Sequence, residues 1–207
     1  MYKFLTVVIG LLIAIPVMSM IWLASFFAFD LSFWYSSGLS LLGAVLAYWV
    51  VSVSIFHRFL KKNQLNRKEY RYIRKNLTDA KRKIHRMQKA LFSIREMAFL
   101  KEIFELIRVI RKIQQVTKKE PRRFYQGEKF YFSHLDSAVE LTEKYVLLYS
   151  QPKKNSEMEK TLYETRHTIG EMKTTIEKDL YHILSNDIEQ LQFEIDFTKY
   201  TTEAKRY

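Results

Sequence analysis

The chain begins with two charge-free runs, FLTVVIGLLIAIPVMSMIWLASFFAF at residues 4–29 and LSFWYSSGLSLLGAVLAYWVVSVSIF at residues 31–56. Each run has 26 residues, and a helix needs about 20 apolar residues to cross a hydrocarbon core about 30 Å thick. Inside lipid, a strand or loop would leave backbone groups without hydrogen bonds, so both runs should be α-helices. The sequence therefore predicts a transmembrane hairpin at residues 1–60 and a separate domain at residues 61–207.

Basic residues stand on one side of this predicted hairpin. Lys3 precedes the first run, and the connection around Asp30 has no base. Loops rich in Lys and Arg stay in the cytoplasm, so both termini are predicted to be cytoplasmic. A cleaved signal peptide is the rival interpretation, but the first run exceeds the roughly 7–15 apolar residues of such peptides. Four bases follow the second run and are expected at the membrane surface: Arg58, Lys61, Lys62 and Arg67.

Charge divides the rest of the chain unevenly. Residues 58–126 contain 22 Lys and Arg against 6 Asp and Glu, whereas residues 127–207 contain 11 against 15. Such asymmetry is typical of a charged interaction face or of a basic half that packs against an acidic half. The chain has no Cys, which excludes disulfides, thiolate nucleophiles and Cys-based zinc sites.

The part after the hairpin is predicted to be helical throughout. No Gly or Pro occurs between Gly43 and Pro121, and Asn66 with Glu69 forms a capping-box-like helix start. We expect one helix from there to Pro121, with a break at residues 76–78 left open, and a second at about residues 121–150. After a polar connection, apolar residues at helical spacing from 162 to 195 mark a third. The fold class is all-α, and three long helices with short connections predict an antiparallel bundle.

The first of these long helices carries a second apolar stripe on the side that is basic earlier. Its members are Leu100, Ile103, Phe104 and Ile107. Burial between two other helices is the usual cause of a two-sided apolar helix. The alternative is a docking surface for a second copy of the chain or for another helical partner.

Three stretches after the second run carry a family resemblance: FHRFLKKNQLNRKEYRYIRKNL at residues 56–77, KKEPRRFYQGEKFYFSHLDSAVELTEKY at 118–145 and LYHILSNDIEQLQFEID at 180–196. They resemble the XpaC-like family, which is labelled as 5-bromo-4-chloroindolyl phosphate hydrolysis proteins. The resemblance implies a bacterial inner-membrane protein that works with a TelA-like toxic-anion-resistance protein. The label implies cleavage of a phosphate ester, but no catalytic residue is carried over.

The residues themselves offer few candidates for catalysis. The sequence has no D-x-D, no glycine-rich phosphate loop and no G-x-S-x-G. Glu164, His167 and Glu171 share one helix face, but a di-iron site needs a second Glu-x-x-His helix. A solvated polar face is the preferred interpretation, so we expect no metal or other cofactor. The catalytic residues of any hydrolase activity stay unknown from the sequence.

One basic cluster is suited to an anion. A helix N-terminus offers N–H groups without partners and a positive dipole end, which favour phosphate or carboxylate. Tyr125 and His134 are candidate proton donors if the fold brings them close. A turn that is merely solvated is the alternative. Four bases surround Pro121, where one helix should end and the next begin: Lys118, Lys119, Arg122 and Arg123.

A second basic feature is the polar face of the first long helix, at Lys81, Arg82, Lys83 and Arg86. Lipid attracts bases only within about a Debye length, roughly 8 Å, so an upright helix would carry these residues out of its reach. An acidic partner, the acidic last helix and solvent are the remaining interpretations, and nucleic acid is disfavoured because no groove-reading motif accompanies the charge. The sequence thus predicts a membrane-anchored cytoplasmic interaction module, with a phosphate-ester hydrolase as the alternative.

Overall fold

The computed structural model describes residues 2–27, 32–94 and 96–204. Within these residues there is no β-strand, which confirms the all-α fold class. The chain divides after Asn66 into two compact units. The α-helices are α1 (Tyr2–Phe27), α2 (Phe33–Lys62), α3 (Arg67–Leu91), α4 (Met97–Lys119), α5 (Leu135–Tyr149), α6 (Ser156–Ile183) and α7 (Ser185–Ala204).

The N-terminal unit consists of α1 and α2, which pack against each other. Both are long and apolar enough to cross a membrane, with a mean hydropathy of 2.5 at Thr6–Phe27 and 2.1 at Phe33–Lys62. Most of their large apolar side chains are exposed, whereas small polar ones are buried (Thr6, Ser25, Ser36, Ser40). This is the distribution expected of helices that face lipid and pack through small residues. The predicted connection at residues 28–31, with Asp30, and the side chain of Lys3 lie outside the described residues.

Two glycines allow α1 and α2 to approach closely. A Cβ atom on Gly10 would lie 2.6 Å from the ring of Tyr48, and one on Gly43 would lie 2.1 Å from Cδ1 of Ile21. A larger residue at either position would push a side chain of the other helix aside. Small residues serve this purpose at helix contacts in membranes.

α3 begins directly after Asn66, where the capping pattern predicted a helix start. Asn76 and Thr78 do not break it, which settles the alternative that the sequence left open. Their side chains donate hydrogen bonds to the carbonyls of Tyr72 and Arg74, at 3.1 and 2.8 Å. The apolar face predicted by the 3.6-residue period is buried (Ile73, Ala80, Ile84, Met87, Leu91).

The prediction of one uninterrupted helix as far as Pro121 is wrong. α3 ends at Leu91, and α4 begins at Met97. Ile94 turns inward and is buried, whereas Phe92 is 90% exposed. Residues 92–96 contain neither Gly nor Pro, so no helix-breaking residue marks this end of α3.

The other two predicted helices are also interrupted. Pro121 begins a 3₁₀ helix of only four residues, Pro121–Phe124, and a π-helix, Phe130–His134, precedes α5. The third predicted helix divides at Leu184 into α6 and α7. Asn155 caps the start of α6 through Oδ1, which accepts the N–H of Met158 at 2.8 Å. In the described residues after 66, five α-helices therefore stand where three long ones were predicted.

The core of the C-terminal unit lies among α3, α4, α5 and α6. Ile103 and Ile107 are fully buried there, so the docking interpretation is wrong for these two residues. Leu100 is half-buried, and Phe104 is 56% exposed. α7 differs from the other helices of the unit, because its side chains from 186 to 200 are all exposed.

Candidate functional site

His134 and Asp179 form the pair that is best suited to proton transfer. His134 ends the π-helix, Asp179 lies on α6, and Nδ1 of His134 is 2.5 Å from Oδ2 of Asp179. The exposed fractions of the two side chains are only 14% and 17%. π-Helical turns occur frequently at functional sites. Because a carboxylate fixes the orientation of a neighbouring imidazole, the geometry of the pair is suited to proton transfer.

Close packing fixes the segment that leads to His134. The ring of Tyr131 stacks on Phe124, with centroids 4.8 Å apart. Burial raises the pKa of Tyr131 to about 12, so its phenol stays protonated. Gly127 faces α6, and a Cβ there would lie 2.8 Å from Cδ1 of Ile183. The π-helix is thus held between an aromatic stack and α6, which positions the imidazole.

Arg123, one of the four bases of the predicted anion site, binds acids of its own domain. Its guanidinium donates two hydrogen bonds of 2.7 Å to Asp187, one of 2.8 Å to Glu120 and one of 3.2 Å to the carbonyl of Ile183. Hydrogen bonding to Asp187 raises the pKa of Arg123, and the same bond lowers the pKa of Asp187. Arg123 therefore fastens the start of α7 to the turn that follows α4.

The other three bases of that cluster, Lys118, Lys119 and Arg122, are exposed. The helix that begins at Pro121 has four residues, too few for the strong dipole on which the anion site was argued. Tyr125 is also at the surface, with 46% of its side chain exposed. The anion site stays a prediction, and these bases are its exposed members.

Two of the four bases on the polar face of α3, Lys83 and Arg86, pair with acids inside the domain. Lys81 and Arg82 are exposed, and their contact with a partner stays a prediction. The two paired bases join α3 mainly to α5: Lys83 lies 3.1 Å from Asp79 and 2.5 Å from Asp136, and Arg86 lies 2.6 Å from Glu143.

A third polar cluster connects α4, α5 and α6. Arg166 lies 2.8 Å from Glu96 and 3.3 Å from Glu102. Tyr145 donates a hydrogen bond of 2.7 Å to Glu96, and burial together with that carboxylate raises the pKa of Tyr145. Oε2 of Glu102 is buried without a hydrogen-bond partner. Arg166 and Tyr145 thus join α6 and α5 to carboxylates at the start of α4.

The face with Glu164, His167 and Glu171 is exposed. Nδ1 of His167 lies 3.6 Å from Glu171, and Glu164 lies 3.8 Å from Lys160. In the part of the chain that the structure describes, no three His, Asp or Glu side chains are arranged to hold a metal ion. Pairs of neighbouring side chains on a solvated helix account for these distances.

The predicted membrane-surface bases are exposed in both units. Arg58, Lys61 and Lys62 lie in the last turns of α2, and Arg67 begins α3. Lys61 and Lys62 are also placed where positive charge complements the dipole of a helix end. Their contact with lipid headgroups stays a prediction.

Neither the His134–Asp179 pair nor the Arg123–Asp187 pair was predicted from the sequence. The partners are 45 and 64 residues apart, and no local spacing connects them. The one available signal was the basic and acidic imbalance of the two halves, which indicates that ion pairs form without indicating which ones.

The sequence of this chain has clear relatives. A family model described as 5-bromo-4-chloroindolyl phosphate hydrolysis protein matches residues 8–198. Protein XpaC of Bacillus subtilis (strain 168) is 42% identical over 177 residues, which cover 86% of this chain and 87% of that protein. No solved structure matches the chain significantly. The predicted resemblance is confirmed, and the chain belongs to the family of 5-bromo-4-chloroindolyl phosphate hydrolysis proteins.

Proposed function

We propose that this protein is an inner-membrane interaction module, in which two membrane-spanning helices anchor a cytoplasmic helical bundle. The length and composition of α1 and α2 support the anchor. Lys3 before the first apolar run and the bases after the second, with none between the two runs, support two crossings and cytoplasmic termini. A reporter that is active only in the periplasm, fused after Tyr207, is expected to be inactive. Activity of that fusion would contradict the topology.

The exposed surface of α7 carries the interaction role. Its large apolar side chains are exposed, although they recur at the spacing of a packed helix (Ile188, Leu191, Phe193, Ile195, Phe197, Tyr200). Contiguous exposed apolar surface is typical of protein–protein contact sites. By contrast, the bases Lys83, Arg86, Arg123 and Arg166 have acidic partners within the domain.

A TelA-like toxic-anion-resistance protein is the proposed partner, because the family resemblance implies it. Lys81 and Arg82 project from α3 as exposed bases, so an acidic surface of that partner would complement them. This contact uses residues of α3 and none of α7.

Binding between the purified full-length protein in lipid nanodiscs and a purified TelA-like protein from the same bacterium tests this proposal. Lys81→Glu with Arg82→Glu is expected to weaken binding by about tenfold or more, equivalent to about 1.4 kcal/mol. The matched control is Lys153→Glu with Lys178→Glu, which makes the same charge change at other exposed positions. Equal affinities of the two variants would contradict a specific role for the basic face.

Phosphate-ester hydrolysis is a second candidate function, and the His134–Asp179 pair favours it. A buried imidazole held by a carboxylate can act as a general base or acid. The description of the matching family names hydrolysis of 5-bromo-4-chloroindolyl phosphate. His134 ends the π-helix, and the stacking of Tyr131 on Phe124 with the close approach of Gly127 to Ile183 holds this segment in place.

Turnover of 5-bromo-4-chloroindolyl phosphate by the purified protein in detergent, with and without added divalent metals, tests this candidate. His134→Gln and Asp179→Asn are each expected to lower the rate at least about 100-fold if the pair transfers the proton. His182→Gln is the control, because His182 is an exposed histidine of the same helix as Asp179. Activity that disappears on purification would remove the hydrolase from consideration, whereas purified activity that survives both substitutions would exclude the pair as its proton-transfer groups.

A further inference from the structure

α7 has two apolar stripes on opposite faces. Ile188, Leu191 and Ile195 form one stripe, at intervals of three and four residues. Phe193, Phe197 and Tyr200 form the other, and 69%, 56% and 72% of these side chains are exposed. An aromatic stripe of this kind is suited to a groove on a second helix, because aromatic side chains bury large areas and lose little conformational freedom.

α4 presents a complementary surface on its outer side. Met97, Leu100 and Phe104 line a shallow apolar groove there, with Lys101 and Arg108 at its edges. Met97 is 77% exposed and Phe104 is 56% exposed, so the groove is accessible in one copy of the domain. The opposite side of α4 supplies the buried residues of the core.

The charges of these two surfaces are complementary. On α4, Glu102 and Glu105 pair with Arg166 and Lys173 of α6, so the acids of the helix are compensated. The exposed bases Lys101, Arg108, Arg111 and Lys112 then make the outer side positive. Residues 185–204 of α7 contain five acids and one base. Opposite potentials of this kind steer and orient two surfaces.

We propose that α7 of one copy docks along the outer side of α4 of a second copy. The aromatic stripe enters the groove, and the acids of α7 lie near the bases of α4. α7 has 20 residues and α4 has 23, so their lengths of about 30 and 35 Å match. Reciprocal docking closes a two-fold dimer and uses both α7 helices. This inference rests on the proposed interaction role and names a second copy as one partner.

Cross-linking between two differently labelled copies tests the contact, since the chain has no Cys of its own. Lys101→Cys lies beside the groove and Gln190→Cys lies beside the aromatic stripe, so both leave the apolar contacts intact. The full-length variants are mixed in detergent and treated with a short bismaleimide. Docking predicts that 101–190 pairs exceed 101–101 and 190–190 pairs.

The control replaces Lys101→Cys by Lys153→Cys, on the exposed connection before α6. The 153–190 yield is expected to stay at the level of random collision. A 101–190 yield no higher than this control, or a majority of 101–101 or 190–190 pairs, would overturn the proposal.

Charge reversal provides a second test that leaves the apolar residues of the groove unchanged. Arg108→Glu with Arg111→Glu, or Glu189→Lys with Glu194→Lys, is expected to raise the dimer dissociation constant about tenfold in sedimentation of the detergent-solubilised protein. Mixing the two reversed variants should restore association to within about threefold of the wild type. Absence of this restoration would overturn the proposed pairing. Binding of the TelA-like protein, measured in the same samples, reports separately on the partner face of α3.

Discussion

α3 and α7 are both charged helices with apolar residues at helical spacing, but they lie in opposite environments. The apolar residues of α3 share one face and are buried. Those of α7 form two stripes, and the side chains from 186 to 200 are exposed. The core of a small domain covers one face of a surface helix, not two. The buried face of α3 therefore contributes to the stability of the domain, whereas α7 leaves apolar surface exposed, which we propose for contacts outside the domain.

Truncation of apolar side chains should give the largest difference in the free energy of unfolding between variants of α3 and variants of α7. Met87 of α3 is fully buried, so Met87→Ala is expected to lower the free energy of unfolding by about 2–5 kcal/mol. Leu191→Ala in the exposed α7 should change it by less than about 0.5 kcal/mol. Urea unfolding of the full chain in detergent, followed by circular dichroism, gives both values. Similar losses would show that α7 also packs in the core of the domain.

Arg123 joins the start of α7 to the turn after α4, and its removal should have the next largest effect. Its side chain is only 14% exposed, so Arg123→Gln is expected to cost about 1–3 kcal/mol through the lost charged hydrogen bonds. Hydrogen exchange should accelerate in the first turn of α7. Lys118→Gln removes one exposed charge nearby and serves as the control. If the two variants melt at the same temperature, the ion pair does not stabilise the domain.

The four bases on the polar face of α3 should differ in how much they contribute to the stability of the domain. Lys83→Gln with Arg86→Gln removes pairs with α5 and is expected to lower the melting temperature. Lys81→Gln with Arg82→Gln should change the free energy of unfolding by only a few tenths of a kcal/mol. Thermal melts of the two double variants compare them directly. A greater loss for the second pair would reverse the roles assigned to these residues.

Acid should weaken the Arg123–Asp187 pair that attaches α7, with a smaller effect on stability than the substitutions above. Arg123 lowers the pKa of Asp187 in the folded state, below the value of about 3.9 expected when unfolded. The stabilisation is therefore complete above about pH 5 and is lost as the pH falls through the lowered pKa. Because Asp187 is 51% exposed, the loss should be under about 1 kcal/mol. Melts across this range should show less acid sensitivity for Asp187→Asn than for the wild type, and identical slopes would contradict the assignment.

Local patterns were sufficient for part of this fold. The apolar runs, the helix start after Asn66 and the buried face of α3 follow from composition and a 3.6-residue period. The break at Ile94 does not, since no Gly or Pro marks it. Similarly, the apolar residues of α6 and α7 keep the same helical spacing across Leu184. The spacing therefore predicts one continuous helix and does not indicate the change of environment there.

The candidate site was predicted less completely than the fold. The bases around Pro121 and on α3 were identified as charged surfaces, but the acids that bind Arg123, Lys83 and Arg86 come from distant segments. Asp179 and His134 likewise come from segments that are distant in the sequence. Pairings of this kind depend on how helices pack together, which single-sequence periodicity does not determine.

Deletion of α7 is the most direct test of an interaction helix attached to an independently stable domain. The full-length protein is compared with a variant that ends after Leu184, both in detergent. We expect α3–α6 to keep their helical circular dichroism and a cooperative melt. The free energy of unfolding should fall by only about 1–3 kcal/mol, because the Arg123–Asp187 bonds are missing. Self-association in sedimentation should disappear. Unfolding of the shortened domain, or dimerisation that persists without α7, would contradict it.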